Sequence, residues 1–534
     1  MATEKKQSFL GGAAVLAAGI VIVKIIGAVF KIPLLNILGE TGAADFNNAY
    51  NIFALLLNLS TAGLPVALSK MVSEANAIGR KRQAQRVFRV SFAVFLALGI
   101  LSFALMWWGN DYLAALLHNP RASYGIRALA PAVVCAGCLS AFRGYAQGCF
   151  HMTPTAVSQI IEAVCKLVIG LALALWLLRE GYPDYIAAAG AILGVTIGTI
   201  VSFLYMALDH LRHRERVDNS EPCDGSGPIL RRLIAIAVPI TLSASMVSVI
   251  TLIDTSLVQG QLQSVLGMTL DESRALYGTY SACMTLYNLP SSLMIALTVS
   301  VIPAVSAALA RHDRAHTARV IGSSFRVTAL LALPMGFGLW ALAEPIFALL
   351  YARYDASLGG PLLATLGIAS IFVCLMLITN SILQSYGRVN VPIVTMLIGG
   401  VVKIVLNYNL VAIPSVNIHG APIGTLVCFA LTAALNLVIV ARTTEDRPNY
   451  LALFAKPLLA SVLMALGAKL VYRVLSGVIV LSSARLSLIL CVAGAIGVAV
   501  VLYAVLVLAL RIITKDDLAL LPKGEKVAKI LKIR

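Results

Sequence analysis

The sequence predicts an all-α polytopic membrane protein. It has about fourteen transmembrane helices, arranged as two pseudo-symmetric six-helix lobes around a central cavity, with two further C-terminal helices. Three observations carry this expectation. First, 59% of the 534 residues are hydrophobic, only 12% are charged, and mean hydropathy is +0.90; long apolar stretches of this kind belong in a bilayer. Second, the apolar segments run continuously instead of alternating, which selects helices over the strands of a closed barrel. Third, the chain repeats itself across its middle.

The runs and their breaks place spans at about 9–35, 48–69, 88–108, 126–148, 157–178, 185–208, 232–258, 277–309, 325–350, 362–386, 392–413, 420–441, 455–474 and 487–511. The first carries two lysines, Lys24 and Lys31. A cation at the centre of a span costs about 2.5–3.5 kcal/mol on insertion scales. Seven residues apart, the two share one helix face and lie about 10 Å from each other along the axis. They form a positive stripe at membrane depth, and an anionic group is its natural complement. Glu40 and Asp45 follow in the first external loop and are candidate gate residues that pair with lysines when the outside is closed.

The fourth and fifth spans bring Arg143, Glu162 and Lys166. Glu162 precedes Lys166 by one helical turn in the favourable order for an ion pair, and Arg143 is also within reach. The group reads equally as a self-neutralising staple and as part of a cavity wall. Cys135 and Cys138 form a C-x-x-C inside an apolar helix, where small packing residues are expected before a redox or metal site. The hydrophilic connection 209–231 joins the sixth and seventh spans; its His210 and His213 have no Glu or Cys at zinc spacing, so a solvated loop is expected and no metal. Asp254 and Glu344, near outer span ends, read as interface residues. Lys403 lies about ten residues into the eleventh span with no acidic residue one turn away.

The repeat is carried by particular residues. Gln147 and Lys166 recur as Gln384 and Lys403 at the same separation, each with a proline between, Pro154 and Pro392. GAILG at 190–194 answers GAPIG at 420–424, and PVALS at 65–69 answers PAVS at 303–306. The expected organisation is therefore a lobe at 1–208, the connecting loop 209–231, a lobe at 232–441, two additional helices within 442–511, and a basic tail at 512–534. Six crossings per lobe return the chain to its starting side. The lobes then share one orientation, with a site between them near the midplane, as in an alternating-access transporter.

The net charge of +17 does not point to nucleic acid. About 28 of the Lys and Arg residues fall in the termini and the loops of one side, about 7 on the other, and about 6 inside spans, which is the positive-inside bias and puts both termini in the cytoplasm. The lysine-rich tail suits anionic membrane lipids. No phosphate-binding G-x-x-x-x-G-K-[ST] and no G-x-S-x-G is present, and no loop is large enough for a catalytic domain, so an enzyme is not expected.

Residues 23–75 (VKIIGAVFKIPLLNILGETGAADFNNAYNIFALLLNLSTAGLPVALSKMVSEA), 142–171 (FRGYAQGCFHMTPTAVSQIIEAVCKLVIGL) and 286–306 (LYNLPSSLMIALTVSVIPAVS) resemble the stage V sporulation protein B family. Its members are oligosaccharidyl-lipid flippases related to lipid II flippases and multidrug antiporters. The resemblance runs essentially end to end. It implies a bacterial plasma-membrane flippase for an undecaprenyl-pyrophosphate-linked saccharide, a peptidoglycan or other envelope precursor, moved from the inner to the outer leaflet. It implies a substrate cavity that includes Lys24, Lys31 and the second-helix position Asn58, with Lys166 and Lys403 as further candidates. The eighth-helix position reads Thr285, which is not basic, so the basic cavity is one-sided. An acidic residue after the first helix resembles Asp45. No cofactor is implied; Na⁺, H⁺ or the membrane potential would drive transport, and envelope-synthesis enzymes are candidate partners. A cation-coupled multidrug antiporter is the alternative on the same scaffold, and it would call for deep acidic residues where this chain has lysines.

Overall fold

The computed structural model describes residues 9–213, 222–310, 313–444, 446, 448–479 and 481–512. The predicted basic tail lies outside the described residues except for Ile512, as do Lys5 and Lys6 and residues 214–221 of the connecting loop. The chain forms two compact units, residues 1–278 and 279–534. Helices and no strands occur among the described residues.

The first unit opens with α1 (Phe9–Thr61), a merged helix broken at Gly39, whose φ of 69° places it in the left-handed region. A side chain at that position would be strained, and glycine lets the chain turn there. Phe30 before the break stands 6.2 Å from Phe46 after it, so the second stretch folds back along the first. Then follow α2 (Leu64–Ala77), α3 (Lys81–Trp108), the short α4 (Asn110–Leu116), α5 (Ser123–Gly148), α6 (Met152–Arg179), α7 (Asp184–Arg212) and α8 (Ser226–Ser264). The α8 helix bends by 40° between Leu242 and Ala244, one turn after Pro239, whose missing N–H breaks the hydrogen-bond ladder. The unit ends in the first turns of α9 (Leu270–Ala310). Its core joins Phe30, Leu34 and Leu38 of α1 to Ile126, Leu129 and Val133 of α5 and Ala188, Ala191 and Ile192 of α7. His210, expected in a solvated loop, is instead on α7 with its ring 4.7 Å from Phe88 and 5.3 Å from Phe142.

The second unit takes the rest of α9 and adds α10 (Arg314–Ala341), the short α11 (Ala343–Leu350), α12 (Ala356–Ser385), α13 (Val391–Val411), α14 (Gly420–Thr443), α15 (Tyr450–Val478) and α16 (Ala484–Ala509). Its core gathers Met294 and Val301 of α9, Ile321 and Phe325 of α10, and Cys374 and Ile378 of α12.

Among the described residues eleven helices are long and apolar enough to cross a membrane, or twelve when bent α8 is taken as one span. The expected fourteen is not reproduced at this count. The first two expected spans lie in one helical run through the Gly39 break, and α9 is not among the eleven.

The internal repeat is visible inside each unit. Where α7 packs on α6, a Cβ on Gly194 would sit 2.4 Å from the Cα of Gly170, so only glycine allows that approach. In the corresponding α13–α14 pair, a Cβ on Gly424 would sit 1.9 Å from Asn407 Oδ1. The Ser202 hydroxyl donates to Ser158 O at 2.8 Å, and Thr432 donates to Thr395 O at 3.4 Å. The same interhelix bond thus appears in both halves, at positions matched by the sequence repeat.

Candidate functional site

Lys166 projects from α6 onto the aromatic side of α1. Its Nζ stands 4.9 Å from the ring centroid of Phe30 and 5.0 Å from that of Tyr50. Phe46 stacks on Tyr50 at 6.0 Å and nearly parallel, and Tyr50 meets Phe53 at 5.7 Å. The folded-back halves of α1 therefore present a ladder of rings to the ammonium. Each cation–π contact contributes about 0.5–2 kcal/mol, more as water is excluded. Lys31 is the next residue after Phe30 in the chain and is half-buried. The Lys166 ammonium thus rests on the ring of the residue that precedes Lys31.

Glu162, the acidic residue one turn before Lys166, is engaged elsewhere. Arg143 of α5 donates through Nη2 to Glu162 Oε2 at 3.0 Å and through Nε to Ser158 Oγ at 2.9 Å. Ser158 donates in turn to Thr155 O at 2.7 Å. Of the two arrangements open to Glu162, the ion pair with Arg143 forms. It ties α5 to α6 and leaves the Lys166 ammonium on the rings.

The other predicted residues are distributed more widely. Lys24 is on α1 at an exposed position. Lys403 is 7% exposed on the face of α13 that packs on α14, and it belongs to the second unit. Asn58 donates to Ser248 Oγ of α8 at 2.7 Å. Glu40 places its backbone against α9: a Cβ on Gly278 would lie 1.8 Å from Glu40 O, so glycine is required there.

Asp45 departs from the expectation of a lysine partner. It is 2% exposed and pairs with Arg274 of α9, which is fully buried. Arg274 Nε donates to Asp45 Oδ1 at 3.0 Å, and Asn119 Nδ2 donates to the same oxygen at 2.8 Å. Arg274 also reaches Asp184 of α7 at 3.0 Å and Asp271 at 2.6 Å, and Arg121 holds Asp271 at 2.8 Å. A guanidinium suits this role because its planar fork serves several carboxylates at once. Arg274 is not among the residues that the sequence pattern singles out, although its D-x-x-R spacing from Asp271 at a helix start is a readable signal. Asp254, read as an interface residue, is buried on α8 with 6% exposure.

Between α1 and α8 runs a polar seam that the residue pattern did not reveal. Asn48 and Gln259 exchange amide bonds at 3.1 and 3.2 Å. Asn51 donates to Thr255 Oγ1 at 3.1 Å, and Thr255 meets the Tyr277 hydroxyl at 2.8 Å. With Asn58 and Ser248 these pairs descend the two helices in antiparallel register. The cluster N-N-A-Y-N at 47–51 was its only sequence trace. Among the described residues no group of three or more His, Cys, Asp or Glu is placed to hold a metal ion.

Comparison with known proteins fits this architecture. The polysaccharide biosynthesis protein family matches residues 9–309, and the MatE family matches 239–409. Three Bacillus subtilis proteins are similar over nearly their whole lengths. The uncharacterized membrane protein YabM is 26% identical, covering 99% of this chain and 98% of its own. The lipid II flippase MurJ is 25% identical, covering 93% and 95%. Stage V sporulation protein B is 24% identical, covering 97% and 98%. Among solved structures, the lipid II flippase MurJ in an inward closed conformation aligns with a TM-score of 0.67 at 13% identity, covering 93% of this chain and 99% of that one. An inward-facing multidrug resistance MATE family transporter of the MOP superfamily aligns with a TM-score of 0.66 at 15% identity, covering 80% and 96%. Helices of this length and apolarity, the duplicated helix pairs and these matches agree: the chain belongs to the polysaccharide biosynthesis protein family, and it is a multi-pass membrane protein with the fold of those solved structures.

Proposed function

We propose that this protein flips an undecaprenyl-pyrophosphate-linked saccharide, a precursor of peptidoglycan or another envelope polymer, from the inner to the outer leaflet of a bacterial plasma membrane. The carrying observation is the Lys166 ammonium on the rings of Phe30 and Tyr50, with Lys31 the next residue after Phe30 and Glu162 already bound to Arg143. Two ammonium groups near each other repel. A bound diphosphate reverses the sign of that interaction, and each lysine acts on it as a point charge. The aromatic ladder holds Lys166 when no anion is present. Lys24 and Asn58 extend this surface within the first unit, and Lys403 is a further candidate on the second.

In this reading the lobes at 1–208 and 232–441 rock to open the cavity to each leaflet in turn, with both termini in the cytoplasm. The Asp45–Arg274 pair, with Glu40 beside it, closes the outer side. An ion gradient, Na⁺ or H⁺, or the membrane potential supplies the work. The lipid II flippase relatives support the substrate class; the saccharide is the open variable.

The cation-coupled multidrug antiporter is the second reading, favoured by the MatE match and by buried Asp254. Purified protein in proteoliposomes separates the two. We expect translocation of lipid-linked saccharide and no ethidium transport, with imposed Na⁺, H⁺ and voltage gradients identifying the driving force. Ethidium transport without saccharide translocation would replace the first reading with the second.

A further inference from the structure

The α1–α8 seam is built from neutral amides and hydroxyls: Asn48, Asn51 and Asn58 on α1 face Gln259, Thr255 and Ser248 on α8. A contact between two apolar helices needs none of these groups. Burying them costs free energy that the mutual hydrogen bonds only slightly exceed, about 1 kcal/mol net per bond. Bonds of that kind exchange readily for others of the same chemistry. Amides and hydroxyls both donate and accept, which is the pattern that sugar hydroxyls complement.

Two further observations point to a polar ligand here. Ser245 lies on the same face of α8 as Ser248, Thr255 and Gln259 by helical spacing. Its hydroxyl is buried, with the residue 3% exposed, and has no hydrogen-bond partner among the described residues. An unpartnered buried hydroxyl costs about 1–3 kcal/mol, which an entering hydroxyl would recover. In addition, Tyr50, which backs the Lys166 ammonium, is the immediate neighbour of Asn51. One stretch of α1 thus carries both the wall for an anion and the amides of the seam, so a single ligand with a charged end and a polyhydroxyl extension matches it.

We propose that the seam is the saccharide-binding track of the transporter. As α8 parts from α1, the hydroxyls of the sugar take over the bonds that the side chains now make with each other, while Lys31 and Lys166 hold the pyrophosphate. The inference rests on the flippase reading and assigns the sugar-recognition half of that site. It also accounts for a seam made of uncharged groups beside the charged Asp45–Arg274 cluster, whose partners are already satisfied within the protein.

The test is equilibrium binding to the full-length protein in lipid nanodiscs with two probes, polyprenyl pyrophosphate and the same lipid bearing a disaccharide. Thr255→Val and Ser248→Ala remove one hydroxyl each with little change of shape, and Asn51→Leu removes an amide. Melting temperatures verify that each variant is folded; a variant that fails is replaced by the two conservative ones. For the Thr255→Val/Ser248→Ala pair we expect affinity for the glycosylated probe to fall about tenfold, with affinity for bare pyrophosphate unchanged. Equal losses for both probes would make the seam a structural contact, and no loss for either would remove it from the site; either result overturns the proposal. Wild-type protein that binds bare pyrophosphate but gains nothing from the sugar overturns the track and leaves the lysine wall standing. Wild-type protein that binds neither probe overturns the flippase reading itself.

Discussion

Arg274 donates through both Nε and Nη2 to the carboxylate of Asp45, and neither residue reaches solvent beyond 2%. They are far apart in sequence, so this pair fastens the start of α9 to the turn of α1. Removing one member of a buried ion pair costs about 3–5 kcal/mol because the other charge stays buried. Asp184 and Asp271 remain on Arg274, so Asp45→Asn is expected near the lower end of that range. Thermal unfolding of detergent-solubilised protein should show a lowered Tm. Equal stability of Asp45→Asn and wild type would remove the pair from the account.

Arg143 has a less direct role that substitution exposes. Its bond to Glu162 keeps that carboxylate from Lys166, one turn along α6. Arg143→Gln should free Glu162 to pair with Lys166 and weaken polyprenyl pyrophosphate binding several-fold although both lysines remain. Arg143→Gln/Glu162→Gln should restore it. A binding titration of the three proteins checks this, and failure of the double variant to recover would mean that Arg143 acts through the packing of α5 alone.

Much of this wall was legible in the residues. Lys31 and Lys166 stood out because a cation inside an apolar run is costly, and the repeat marked Lys166 through its partner Lys403. GAILG and GAPIG contain Gly194 and Gly424, two of the tight helix contacts. What stayed hidden was long-range pairing. Nothing in the periodicity around Asp45 names Arg274, and Asn48 and Gln259 each look like polar residues in a helix until α8 lies beside α1. The Gly39 break was hidden for a related reason. Glycine is common in membrane helices, so its identity alone does not say where the backbone leaves the helical region.

Gly278 offers a steric test of the contact between Glu40 and α9. A Cβ there would sit 1.8 Å from a backbone oxygen, which cannot swing aside as a side chain can. Gly278→Ala should destabilise by about 1–3 kcal/mol through forced overpacking. Gly27→Ala, with nothing within 4 Å of the added carbon, should leave Tm at or slightly above wild type. Matching Tm values for the two variants would show that α9 does not approach Glu40 as described.

The start of α9 also carries a pH-dependent cap. Glu272 accepts from the Thr269 backbone N–H at 2.8 Å and from its hydroxyl at 2.9 Å, while Thr269 Oγ1 accepts from Glu272 N at 3.3 Å. These bonds to the charged form hold the Glu272 carboxyl below its usual range. A carboxyl lowered by folding stabilises above its unfolded pKa, about 4.3, and loses that contribution as pH falls through the folded value. Wild type should therefore exceed Glu272→Gln in Tm at neutral pH, with the gap closing below about pH 4. A gap independent of pH would assign the effect to amide geometry and not to charge.

The central claim is that Lys31 and Lys166 together hold the pyrophosphate, and the most direct measurement is the initial rate of lipid-linked saccharide translocation in proteoliposomes. Wild type, Lys166→Ala and Lys31→Ala/Lys166→Ala are compared at equal protein density and with matched melting temperatures. The account predicts a loss of about tenfold for the single variant and at least about a hundredfold for the double, in line with about 1.4 kcal/mol per factor of ten for each lost charge-assisted contact. Translocation by the folded double variant at the wild-type rate would contradict it.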